Sequence, residues 1–217
     1  MHQLSERSLK KLMLALGVYI TALIASNTLG LKIMPFLFDS HLSVGVFMFP
    51  IVFLMTDVIG EVYGKRIAKF FVLAGITSTL LWIAFSVISL AAPWSPDGHW
   101  AMGHYETIFG VSLRIAVASI IAFAVAEYQD VISFFFFKKQ FGEKKFWLRS
   151  TLSNVWSQFL DTVLFMVIAF FGVYDTQVLL SLIITWWLYK VAMGVLYTPL
   201  SYAGIWLLKD KDGSKTD

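Results

Sequence analysis

Cysteine is absent from this chain, which excludes disulfides, thiolate metal sites and a cysteine nucleophile. Charge is scarce. Only 14% of the residues are Asp, Glu, Lys or Arg, against roughly 25% in soluble domains. Histidine is scarce too: His2, His41, His99 and His104 are all there is, and none lies in a long apolar run. A serine hydrolase or zinc protease working inside a membrane needs His beside Ser or a metal, and His-Glu-x-x-His does not occur. His99 and His104 with Asp97 and Glu106 read as a solvated loop, so no metal ligands are assigned. No Walker motif and no Gly-rich phosphate loop is found, so no intrinsic ATP use and no cofactor are expected. No catalytic residue is assigned either; the one enzyme arrangement left open is an aspartyl pair of Asp57 and Asp161.

What the chain has in abundance is apolar surface. It is 58% hydrophobic with a mean hydropathy of +0.74, the composition of an integral membrane protein. At roughly 25–35 residues per helix and loop, 217 residues form a single transmembrane domain with no separate soluble part. The expected architecture is all-α with six transmembrane helices, at about 12–31, 44–63, 70–91, 111–137, 150–173 and 178–208. The first run also has the outline of a signal peptide, but its length and the internal Ser26-Asn27 favour an uncleaved span. Pro199 falls in the final third of the last run and should kink it.

The basic residues orient these spans. Arg7, Lys10 and Lys11 precede the first, Lys65, Arg66 and Lys69 follow the second, and Lys138, Lys139, Lys144, Lys145 and Arg149 follow the fourth. Lys209, Lys211 and Lys215 close the chain, and the three opposite loops hold no Lys or Arg. The positive-inside rule places both termini in the cytoplasm. The same distribution explains a pI near 9.0 without nucleic acid as a partner.

The second span is unusual. Pro50 breaks it at the start, because proline suits a first helical turn and not an interior. Pro50 to Gly64 is 15 residues, fewer than the ~20 that cross a bilayer, so the span borrows from Val44–Phe49. Asp57 and Glu61, at i and i+4, share one face of it. A carboxylate at mid-bilayer costs at least about 2.5–3.5 kcal/mol and normally faces a partner or a wet cavity. A short, proline-broken, acidic span is a pointer to a transporter site.

Further polar groups fall within the spans. Asn27 lies in the first. Arg114, Glu127 and Asp130 lie in the fourth, the last two sharing a face at i and i+3. Asn154, Gln158 and Asp161 form one stripe on the fifth, and Trp186 and Lys190 share a face on the sixth beside Tyr189. Five acids against two bases exceed mutual neutralisation unless some carboxylates stay protonated. For any one residue, a structural interhelical salt bridge or amide bond is the competing explanation; together they imply a polar cavity roofed by aromatics. Such a lining suits a small planar solute with several hydrogen-bond donors. An anion would want more buried Arg and Lys, and a lipid fewer charges.

At these residues the chain resembles the bacterial queuosine precursor transporter family, in the vitamin-uptake-like group. The resemblance is carried by Ala25-Ser26-Asn27, Phe49-Pro50, Asp57-x-x-x-Glu61-x-Tyr63-Gly64, Arg114 with Ala118-Ser119, Gln129-Asp130, Trp147-Leu-Arg149, Ser157-Gln158-x-x-Asp161-Thr162 and Tyr189-Lys190. It implies import of 7-cyano- and 7-aminomethyl-7-deazaguanine, or queuine, for transfer RNA modification. In that light Asp161 or Glu127 would accept from the N1/N2 edge of a nucleobase-like substrate. Asn27, Asn154, Gln158 and Lys190 would serve the other edges, and Trp186 or Tyr189 would stack on the ring. Asp57, Glu61, Arg114 and Asp130 would gate or form structural ion pairs. The alternative is the substrate-binding membrane subunit of an ATPase-driven vitamin-type importer. A homodimer is compatible with so small a membrane protein, and no small-xxx-small face decides it.

Overall fold

The computed structural model describes residues 5–36, 40–141, 146–196 and 198–208. Among the described residues there are seven α-helices: α1 (Glu6–Leu29), α2 (Phe49–Tyr63), α3 (Lys65–Ala91), α4 (Met102–Phe141), α5 (Phe146–Phe170), α6 (Thr176–Leu196) and α7 (Thr198–Leu208). Two short strands, β1 (Ile33–Pro35) and β2 (His41–Ser43), separate α1 from α2. Among the described residues, five segments are long and apolar enough to cross a membrane: Glu6–Leu29, Val44–Tyr63, Arg66–Ala91, Pro96–Ala126 and Thr176–Met193. Val155–Phe170 is a shorter apolar helix. Large apolar side chains such as Phe85, Ile88 and Leu80 stand exposed along α3, a surface suited to lipid rather than to water.

Local sequence explains where these helices start and stop. Ser5 caps α1, its Oγ accepting from the Ser8 amide at 3.1 Å. Pro50 sits in the first turn of α2, where its missing N–H costs no helical bond, and a 3₁₀ turn at Val44–Phe47 leads into it. Gly64, at φ 85°, lets the chain reverse between α2 and α3 without the Cβ penalty of the left-handed region. The last apolar run is two helices, α6 and α7, with Pro199 the second residue of α7. Proline lacks the amide that would continue the α6 ladder.

The helices pack as two groups. α1, α2 and α3 enclose Tyr19, Ala22, Val52, Ile59 and Phe71. Gly75 of α3 meets α1 so closely that a Cβ there would lie 2.6 Å from the Tyr19 hydroxyl. Small residues at such contacts let helix backbones approach, and in lipid this dispersion gain replaces the hydrophobic effect as the driving force. α4, α5 and α6 enclose Ile115, Met166, Phe170, Leu182 and Trp186. α7 folds back on α2, its Gly204 against Val58, and the Leu208 carbonyl accepts from Lys11 Nζ at 3.1 Å and Tyr63 Oη at 3.3 Å.

The segment between α1 and α2 is an antiparallel hairpin built into the bundle. Ile33 pairs with Ser43, Met34 with Leu42 and Pro35 with His41. Leu42 and Val46 are buried among α4–α6 side chains. Irregular backbone inside such a protein must satisfy its own polar groups. Here Val44 N donates to the Lys32 carbonyl at 2.8 Å, Ser43 Oγ donates to the Gly30 carbonyl at 2.5 Å, and Gly45 N donates to Ser43 Oγ at 3.2 Å. The Tyr174 hydroxyl, from the α5–α6 turn, ties on at the Leu31 carbonyl.

Candidate functional site

The polar stripe of α5 meets the aromatic face of α6. Lys190 Nζ lies 2.6 Å from Asp161 Oδ2, with Lys190 13% and Asp161 26% exposed, so the pair is largely withdrawn from the surface. Helical spacing prepares the contact: Gln158, Asp161 and Thr162 share the inward side of α5, and Trp186 sits one turn before Lys190 on α6. Thr162 Oγ1 donates to the Gln158 carbonyl at 2.7 Å, so it takes no part across helices. Trp187 Nε1 donates to the Val155 carbonyl at 3.3 Å and fixes α6 against α5.

Aromatic rings enclose the pair. Lys190 Nζ stands 5.9 Å from the centroid of the Phe49 ring, a cation–π contact. Phe49 meets Trp186 edge-on at 6.3 Å, and Trp186 packs against Phe165 at 5.8 Å. Tyr189 is flanked edge-on by Phe36 and Phe47, each at 6.4 Å, so the hairpin and the 3₁₀ turn form one wall of the site. Sequence spacing did not single out Phe36, Phe47 or Phe49; the Phe49-Pro50 pair at the break in the second span was the available signal.

Asn27, Trp186 and, in the hairpin, His41 (at Nδ1) bury polar atoms that have no hydrogen-bond partner among the described residues. Asn27 is fully buried in α1, and neither its Oδ1 nor its Nδ2 is hydrogen-bonded. Trp186 is 2% exposed, and its Nε1 has no acceptor. An unsatisfied buried donor or acceptor costs about 1–3 kcal/mol, so such groups in a native protein call for a water or a ligand.

The remaining candidates divide. Arg114 binds neither Asp57 nor Glu61. Its Nε donates to the Ile168 carbonyl at 2.5 Å and its guanidinium NH2 to the Phe171 carbonyl at 2.7 Å. A cation over the last carbonyls of α5 complements that end of the helix dipole. Asp57 and Glu61 are exposed on α2, and Lys190 is held by Asp161. Glu127 and Asp130 lie on α4 and Asn154 on α5, with side chains outside the described residues. A groove of about 520 Å³ between α1 and α2, lined by residues such as Met13, Leu14, Val18 and Ile51, is apolar and contains none of these candidates. Its lining offers almost no hydrogen-bonding groups, in contrast to the surroundings of the ion pair. The described residues contain no group of His, Asp and Glu able to hold a metal ion.

These features define a multi-pass membrane protein with a charged pair among aromatic rings between α5 and α6 as its candidate site. Residues 43–204 match the family described as "Putative vitamin uptake transporter", and the chain belongs to that family. It is 34% identical over 170 residues to the Bacillus subtilis (strain 168) protein named "Probable queuosine precursor transporter", covering 77% of this chain and 73% of that one. It is 28% identical to the "Queuosine precursor transporter" of Escherichia coli (strain K12), over 78% of this chain and 74% of the relative. A Haemophilus influenzae protein with the same name as the Bacillus one is 27% identical over 62% of this chain and 54% of its own length. No solved structure matches. The family and these relatives are transporters, and this chain is a transporter rather than an enzyme.

Proposed function

We propose that this chain imports a queuosine precursor across the bacterial inner membrane. The substrates we assign are 7-cyano- and 7-aminomethyl-7-deazaguanine, with queuine as the further member of the class. The observation that carries the reading is the Asp161–Lys190 pair under aromatic rings, in a chain 34% identical to a relative named for queuosine precursors. A 7-deazaguanine offers N1–H and an exocyclic amine to a carboxylate and O6 to a donor. Asp161 accepts from the donor edge, with Glu127 as the second acceptor. Lys190, Asn27, Asn154 and Gln158 meet the remaining edges, and Trp186 and Tyr189 belong to the aromatic wall. Asp57, Glu61 and Asp130 act in gating or ion pairing, and Arg114 in holding α5. The topology we assign is six spans with both termini cytoplasmic, α5 forming the fifth span and α6 with α7 the sixth.

The test is uptake of labelled 7-cyano-7-deazaguanine by cells lacking both its synthesis and their own importer, read as queuosine in transfer RNA. Queuosine that appears only when this chain is expressed supports the reading. Its absence, with the protein present in the membrane, removes that substrate. The family's vitamin-uptake description also fits a capture subunit driven by a separate ATPase. Uptake that vanishes when the chain is reconstituted alone in vesicles favours that second reading.

A further inference from the structure

We propose that Trp186 reads the substrate through its indole N–H and not through its ring: Nε1 donates to the ring carbonyl of the imported base, O6 of a 7-deazaguanine. The inference rests on the transport reading and deepens it, naming the group that recognises this carbonyl.

Burial takes stacking away from Trp186. The side chain is 2% exposed. Phe49 meets it edge-on at 6.3 Å, Phe165 packs against it at 5.8 Å, and Met166, Leu182 and Ile183 belong to the same buried cluster. A base would have to displace that packing to lie on the indole face. The N–H is a different matter. Indole nitrogen is a donor only, and a buried one usually finds an acceptor. Elsewhere the fold supplies one. Trp187, the next residue, donates to the Val155 carbonyl at 3.3 Å, and Trp94 donates to Glu106 Oε1 at 3.2 Å. Trp186 Nε1 is buried more deeply and has no acceptor among the described residues. A buried donor left bare is destabilising until an acceptor arrives.

The surroundings select the kind of acceptor. Trp186 and Lys190, one turn apart, put two donors on one face of α6. Asp161 brings a carboxylate from α5 to 2.6 Å from the ammonium. The ion pair is neutral as a unit, so no net positive charge remains to hold an anion, and a neutral oxygen is the matching group. A carbonyl next to an N–H fits the set: its oxygen has two lone pairs, for Nε1 and the ammonium, and the N–H goes to Asp161. A 7-deazaguanine carries that arrangement as O6 and N1–H. Nε1 is closed off from solvent in this conformation, so the bond forms as the surrounding side chains part around the substrate.

The experiment replaces Trp186 with benzothienylalanine, which keeps the shape of the indole and puts sulfur in place of the N–H. Trp186→Phe provides the same comparison if that protein is missing from the membrane, as judged by immunoblot. Two quantities are read: the KM for uptake of 7-cyano-7-deazaguanine, and the inhibition constant of its 6-thio analogue, whose sulfur is a weaker acceptor, against that uptake. A buried carbonyl deprived of a donor corresponds to roughly 5- to 150-fold in affinity. Loss of the N–H should raise KM for the 6-oxo compound by that factor with Vmax retained, and should change the inhibition constant of the 6-thio compound much less. An unchanged KM overturns the assignment and leaves a bound water as the partner of Nε1, while the transport reading stands. An equal rise for both compounds also overturns it and makes Trp186 a packing residue. If the unaltered chain neither takes up nor, when purified, binds 7-cyano-7-deazaguanine, both readings fall together.

Discussion

Asp161 and Lys190 lie 29 residues apart in the chain, yet their carboxylate and ammonium meet at 2.6 Å between α5 and α6. Neither group is fully exposed, so the contact is worth more than a surface pair, and removing either partner leaves a charge that the site was built to neutralise. Asp161→Asn and Lys190→Gln should each lower uptake at least tenfold. The double variant should recover thermal stability in detergent but not uptake, because a neutral pair restores packing and not recognition. The coupling between the two sites should lie near 0.5–3 kcal/mol in a double-mutant cycle. Full uptake by Asp161→Asn would remove this carboxylate from the substrate site.

Asn27 presents the opposite case, a polar group that the described fold does not satisfy. Asn27→Leu, which keeps the branching and the number of heavy side-chain atoms, should leave the melting temperature unchanged or raise it, since it removes a desolvation cost of about 1–3 kcal/mol. The same substitution should weaken uptake. A clear fall in melting temperature, with KM unaltered, would make Asn27 a structural residue.

Arg114 should behave as a helix cap. Arg114→Met removes two charge-assisted hydrogen bonds to the Ile168 and Phe171 carbonyls. The expected cost is about 2–4 kcal/mol, seen as a lower melting temperature, because hydrogen bonds to charged groups contribute roughly 1.5–3 kcal/mol each and do not add in full. Lysine should restore part of it. KM should stay near the wild-type value in whatever protein remains folded.

Gly75 tests the α1–α3 contact. Alanine there places a Cβ 2.6 Å from the Tyr19 hydroxyl and 2.9 Å from its ring, and Tyr19 is buried. Overpacking of this kind costs about 1–3 kcal/mol. Tyr19→Phe should relieve part of the loss in Gly75→Ala, since it removes the nearer atom. A Gly75→Ala variant as stable as wild type would show that α3 can slide outward in lipid at no cost.

Helical spacing shows which of the candidate residues share a face, and the limit of that reading is physical. Gln158 and Asp161 recur on one face of α5, and Trp186 and Lys190 on one face of α6, because a helix repeats every 3.6 residues. Spacing says which side chains share a face of their own helix. It does not say which helix that face meets. Five acids could have claimed Lys190, and Asp57, Glu61 or another could have held Arg114; helix rotation and crossing decided for Asp161 and for two backbone carbonyls. The hairpin was hidden for a different reason. Ile33–Pro35 and His41–Ser43 are too short to show an alternating pattern, and their burial depends on Ser43 finding the Gly30 carbonyl and on Leu42 finding the α4–α6 core.

By itself the sequence determined the class of protein. Long apolar runs with few charges can only be buried in lipid, and this follows from local composition. It also supplied the polar residues that need an explanation inside such runs. The tertiary structure alone decided how they are used: which carboxylate neutralises the lysine, which ring lies beneath it, and which buried groups are left without partners. Those outcomes depend on side chains far apart in sequence meeting at fixed helix rotations, and no local pattern encodes that geometry.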